Sequence, residues 1–84
     1  MSEFFQKSIV ILNLDPAVII SGNAFHSSGT AIVCPITTKI KGYAGNITLK
    51  PNRINGLDAV SEVLIGQVRV VSTERIVRKI GKIT

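Results

Sequence analysis

The chain has 84 residues, 9.0 kDa, a net charge of +5 and a single cysteine. That length sets one small domain over residues 1–84, and one thiol excludes the intrachain disulfides that brace many small secreted domains. The longest apolar runs, Ile9–Leu12, Ala17–Ile20 and Ala31–Cys34, are four residues each, against about 20 for a membrane-spanning helix. His26 is the only histidine, and no ligand-type residues recur at close spacing, so no metal or other cofactor is expected.

Isoleucine, valine and threonine supply 28 of the 84 residues. Their stiff side chains suit pleated strands, so the fold is expected to be mostly β. Ser8–Leu14 reads as a buried strand, and Ala17–Ser21 as a second. Asp15-Pro16 is the turn signal between them, making either a tight hairpin or one kinked strand. Gly22–Gly29 reads as a loop, and Thr30–Ile36 as a third strand in which Cys34 is a buried thiol of a reducing compartment. Thr37–Gly45 is polar and basic, hence an exposed loop. Asn46–Leu49 is a short strand and Lys50–Gly56 a turn region. Glu62–Val71 is the longest strand candidate, with Gly66 at a bulge or close approach. Ser72 is placed to cap a short helical turn, and Lys79–Ile83 to form the last strand. Five or six short strands with glycine turns point to a small barrel of SH3 or OB type.

The charge is uneven. Residues 1–38 hold Lys7 against Glu3 and Asp15, whereas residues 39–84 hold nine of the ten basic residues. Such a half fits a polyanion partner, and equally a plain solubilising surface. Gln67 and Arg69 fall at alternate positions of the long strand candidate and so share a face. Lys39 and Lys41 alternate in the basic loop. Tyr43 is either a base-stacking or a packing residue, and His26 an exposed loop residue.

Three segments in order resemble the MazF/PemK toxins of bacterial toxin–antitoxin pairs. Ile9–Pro16 (IVILNLDP) is similar to that family's opening strand. Pro16–Tyr43 (PAVIISGNAFHSSGTAIVCPITTKIKGY) looks like its "RPAVVLS…G…V.PIT…KGY" stretch. Val63–Ile83, with Gln67-Val68-Arg69 and a closing RKIGKI, resembles its "DQVR" strand and last strand. The resemblance implies an SH3-like barrel (CcdB/PemK-like) and a cytoplasmic homodimer off the membrane. It also implies metal-independent cleavage of single-stranded RNA to 2′,3′-cyclic phosphate and 5′-hydroxyl ends, and capture by an acidic antitoxin peptide. On the matching positions Thr37 is the implied catalytic residue. Thr38, Lys39, Lys41, Gln67 and Arg69 are the implied RNA-binding set. Read alone, Thr37 is a strand-end hydroxyl satisfying a backbone group.

Three departures matter. Asp15 stands before Pro16 where the family carries an arginine, as if the long loop bearing that arginine had been removed. Gly66 stands where an acid often precedes the glutamine, and the sequence stops at Thr84 before the family's usual C-terminal helix. The resemblance therefore implies an impaired endoribonuclease, or alternatively a non-catalytic paralogue that binds RNA or antitoxin.

Overall fold

The computed structural model describes residues 6–13, 15–22 and 29–83. Its strands are β1 (Ser8–Leu12), β2 (Asp15–Ile19), β3 (Thr30–Thr37), β4 (Ile47–Leu49), β5 (Ser61–Val63), β6 (Arg69–Ser72) and β7 (Ile76–Lys82). The protein is mostly β, as expected, but with seven strands among the described residues where five or six were foreseen. Two 3-10 turns, Ile65–Gln67 and Thr73–Arg75, are its helical pieces among the described residues. The strands run in the order β4-β5-β3-β2-β1-β7, with β6 also on β3, and every pair is antiparallel. The two ends of this path do not pair with each other, so the sheet curves without closing.

β3 organises the rest. Its Val33–Pro35 stretch pairs with β2, while its other edge is shared by β6 along Thr30–Val33 and β5 at Ile36–Thr37. Glu62–Val71 is therefore not one strand. Ile36 faces Val63 and Val33 faces Arg69, so three steps along β3 are matched by six along its partner. The excess is taken up by the 3-10 turn Ile65–Gln67, where Gln67 N–H donates to Leu64 O at 3.0 Å and Val68 N–H to Ile65 O at 3.3 Å. Gly66 lies inside that turn, with nothing within 4 Å of a Cβ built there, and marks neither a ladder bulge nor a close approach.

The turn between the first two strands also differs from expectation. Leu12 pairs with Asp15, leaving two residues to turn, and Asp15-Pro16 opens β2 instead of breaking the chain. Asn13 adopts φ 57°, the left-handed conformation that asparagine tolerates in tight hairpins. The alternative of one kinked strand is thereby excluded.

Both faces of β1–β3 are buried, which explains the apolar runs without alternation. One face carries Val10, Leu12, Ala17, Ile19, Ala31, Val33 and Val71. The other carries Ile9, Val18, Cys34, Ile36 and Val63, covered by Leu49, Leu57, Ile80 and Ile83. Each large aliphatic side chain so buried contributes about 1.5–3 kcal/mol. Cys34 is free and buried, and burial pushes its thiol pKa up, which makes it a packing residue.

The last strand begins earlier than expected, directly after the turn Thr73–Arg75, whose Glu74 N–H donates to Ser72 Oγ at 3.3 Å. Two register shifts against β1 account for its poor alternation. Residues 50–57 fold onto this strand. Asn52 Oδ1 accepts from the Ile54 and Asn55 N–H groups, while Asn55 bridges Lys50, Asn52 and Leu57. A Cβ on Gly81 would collide with the backbone of Ile54 and Asn55. Gly81→Ala is accordingly expected to cost about 1–3 kcal/mol, read as a lower melting temperature. Gly66→Ala, in open space, should stay within about 0.5 kcal/mol of the parent; equal melting shifts for the two would contradict this packing.

Candidate functional site

Where the β1–β2 hairpin, the end of β3 and the β5–β6 connection meet, they enclose a cleft of about 360 Å³. Its apolar floor includes Leu12, Ala17, Pro35 and Val71, continuous with the first core face. Its polar rim holds Asn13, Asp15, Thr37, Gln67, Arg69 and Arg75. Thr37, Gln67 and Arg69, drawn from distant parts of the sequence, thus share one cleft.

They arrive by a different route from the one expected. Gln67 closes a 3-10 turn and Arg69 opens β6, so they are not alternate residues of one strand. The three-residue excess against β3 brings both to the cleft. Thr37 is the last residue of β3 and half-buried, and its Oγ1 accepts the Lys39 N–H at 3.0 Å. That bond uses an oxygen lone pair and leaves the hydroxyl hydrogen to donate. The strand-end role and a ligand-facing role are therefore compatible.

Thr38 lines a second cleft of about 610 Å³ with Arg78 and Lys79, and Pro16 borders both clefts. Lys39 and Lys41 are exposed on the loop after β3 and line neither cleft. Tyr43, on the same loop, is 67% exposed and so is not a packing residue. His26 lies outside the described residues. Among the described residues, no three His, Cys, Asp or Glu side chains gather as a metal site would require, and no helix is long and apolar enough to cross a membrane.

Two site residues escape a reading of the sequence. Arg75 reaches the cleft from the turn after β6, a position that marks only a favourable helix-end cation. Glu62 is the other. It is 2% exposed and sits directly across the ladder from Thr37. One carboxylate oxygen accepts from Lys41 N–H at 2.7 Å and the other from Gly42 N–H at 2.9 Å. The adjoining Asn46 amide oxygen accepts from Ile65 N–H at 3.1 Å, while its Nδ2 has no partner within hydrogen-bond distance among the described residues. The basic loop is thereby tied to β5 and to the turn carrying Gln67. An acid directly before the apolar run Val63–Ile65 is the signal for such an anchor.

The Lys41 N–H holds the Glu62 carboxyl below its ordinary value of 4.5, against the opposing effect of burial. The Gly42 N–H and the Lys41 charge add to the lowering. A depressed folded pKa means stability that is present above the ordinary value and lost as pH falls through the folded one. Thermal melts taken downward from pH 7 should therefore show the parent losing its advantage over Glu62→Gln only below the usual glutamate range. A constant difference at all pH values would contradict the clamp.

The sequence matches the family described as "PemK-like, MazF-like toxin of type II toxin-antitoxin system" over residues 8–84. In structure the chain is similar to the Mycobacterium tuberculosis toxin MazF-mt6, with a TM-score of 0.80 and 25% identity over 92% of this chain and 80% of that one. It is also similar to a chain of a MazE–MazF crystal structure from Deinococcus radiodurans, with a TM-score of 0.79 and 26% identity over 95% of this chain and 79% of that one. A further Mtb toxin, 22% identical with a TM-score of 0.79 over 90% of this chain and 82% of that one, shares the fold. No curated protein matches. With 77 of its 84 residues inside the family match and its sheet superposing on MazF chains, this protein belongs to the PemK-like, MazF-like toxins of type II toxin–antitoxin systems.

Proposed function

We propose that this chain is an endoribonuclease toxin that cuts single-stranded RNA without a metal, leaving 2′,3′-cyclic phosphate and 5′-hydroxyl ends. The observation that carries this reading is the convergence of Thr37, Gln67, Arg69 and Arg75 on one cleft. In such cleavage the ribose 2′-oxygen attacks its own phosphate through a crowded, doubly negative phosphorane. Guanidinium groups stabilise that charge through short, charge-assisted hydrogen bonds, and the Thr37 hydroxyl adds a neutral donor. Gln67 offers both donor and acceptor to a base edge. Lys39 and Lys41, on the clamped loop, serve phosphates further along the strand, and Thr38 serves the neighbouring cleft.

The two-residue turn between β1 and β2 leaves no room for a loop over the cleft. Loss of a preorganised cation contributed by such a loop lowers the rate by about 10²–10³. Slow cleavage follows. The same basic face suits an acidic antitoxin peptide, in keeping with the MazE–MazF structures that the fold resembles. A homodimer in the cytoplasm completes the proposal, and exposed Val70 and Val77 offer apolar surface for a second copy.

The short hairpin also favours a second reading, a non-catalytic paralogue that binds RNA or antitoxin. A cleavage assay on single-stranded RNA in the presence of a chelator separates the two. Slow cleavage to cyclic-phosphate ends is expected, at least tenfold slower in Thr37→Val and largely retained in Thr37→Ser. Salt-dependent RNA binding with no cut product would support the binding module instead.

A further inference from the structure

A carboxylate lines the same cleft as Thr37. Between β2 and β3, Ala17 faces Pro35, Val18 faces Cys34 and Ile19 faces Val33. The ladder ends at the first of these pairs, and Asp15 and Thr37 each lie two residues beyond it, Asp15 on the side of Ala17 and Thr37 on the side of Pro35. Both line the 360 Å³ cleft.

Asp15 is the only carboxylate among the described residues lining that cleft. Glu62, behind Thr37 on β5, has both oxygens engaged by the Lys41 and Gly42 N–H groups. Asp58 lines the second cleft. Arg69 from β6 and Arg75 from the turn after it share the cleft with Asp15, so a phosphate entering beside the carboxylate meets two cations.

We infer that Asp15 is the proton acceptor of RNA cleavage in this chain, an assignment that rests on the endoribonuclease reading above. The ribose 2′-oxygen forms its bond to phosphorus as its proton passes to an Asp15 carboxylate oxygen. The bond from phosphorus to the 5′-oxygen then breaks. That oxygen leaves with the electron pair and takes a proton from water, and Asp15 returns its proton to solvent. Arg69 and Arg75 hold the non-bridging oxygens, and Thr37 donates to one of them. Where an arginine before Pro16 would add positive charge, this chain has a base.

The test uses the full chain, a short single-stranded RNA and its 2′-O-methyl analogue, which binds but has no 2′ proton to give. Asp15→Asn keeps the size of the side chain and removes its basicity. It should lower kcat about 100-fold, with KM and affinity for the 2′-O-methyl RNA within about threefold of the parent. Asp15→Glu, which restores a carboxylate, should recover part of the rate. Unchanged kcat in Asp15→Asn beside an active parent would overturn the assignment alone. So would equal losses in kcat and in affinity, which would make Asp15 a binding residue. A parent chain that binds RNA and never cuts it would overturn the endoribonuclease reading and this inference together.

Discussion

A buried carboxylate holds the polar side of the cleft in place. Glu62 pairs with Thr37 across the β3–β5 ladder, and both of its oxygens accept backbone N–H groups of the loop that follows Thr37. A buried charge must be paired to be tolerated, and here its partners belong to the main chain of the basic loop. Stability and presentation of the basic loop are therefore one interaction. Lys39 and Lys41 point their charges from a segment whose backbone is anchored, although the side chains themselves are solvated. Asn46 extends the tie to Ile65, at the start of the turn that ends in Gln67.

The second constraint is the division of one edge of β3 between two strands. A single continuous partner would run Glu62–Val71 straight past the hairpin and carry Gln67 and Arg69 along the sheet. The three-residue excess at Ile65–Gln67 instead lets the chain leave one half of β3 and rejoin the other. The cleft opens at that step. Its floor is the first core face, its back wall the end of β3, and its two sides are the β1–β2 hairpin and the arginines Arg69 of β6 and Arg75 of the turn after it.

Much of this was legible in the residues, and the rest was hidden for identifiable reasons. The β-branched content, the buried thiol at Cys34 and the Ser72 cap follow from local chemistry and reappear in the fold. The resemblance to MazF/PemK toxins was carried by segments in the right order, a property that a shared family preserves. The break inside Glu62–Val71 is marked only by Gly66-Gln67, a pair that reads equally well as a bulge within one continuous strand. Asp15-Pro16 misled because proline is also at home at the first positions of a strand, while the true turn rests on the left-handed backbone of Asn13. Glu62 and Arg75 matter through long-range placement, which no spacing rule discloses. Asp15 stands where the family resemblance has an arginine, and only the folded chain shows that it shares a cleft with Thr37.

Beside the short hairpin, Thr37, Gln67, Arg69 and Arg75 line one cleft, and the proposed account makes it a phosphate site. Its central claim is that RNA lies against Thr37, Gln67, Arg69 and Arg75 together. Backbone amide shifts measured while a 2′-O-methyl oligoribonucleotide is titrated into the full chain test that claim most directly. The account predicts perturbations clustered at residues 37–42 and 67–75, saturating at one common affinity that weakens with salt. Shifts confined to another face, with the residues of the cleft silent, would contradict it.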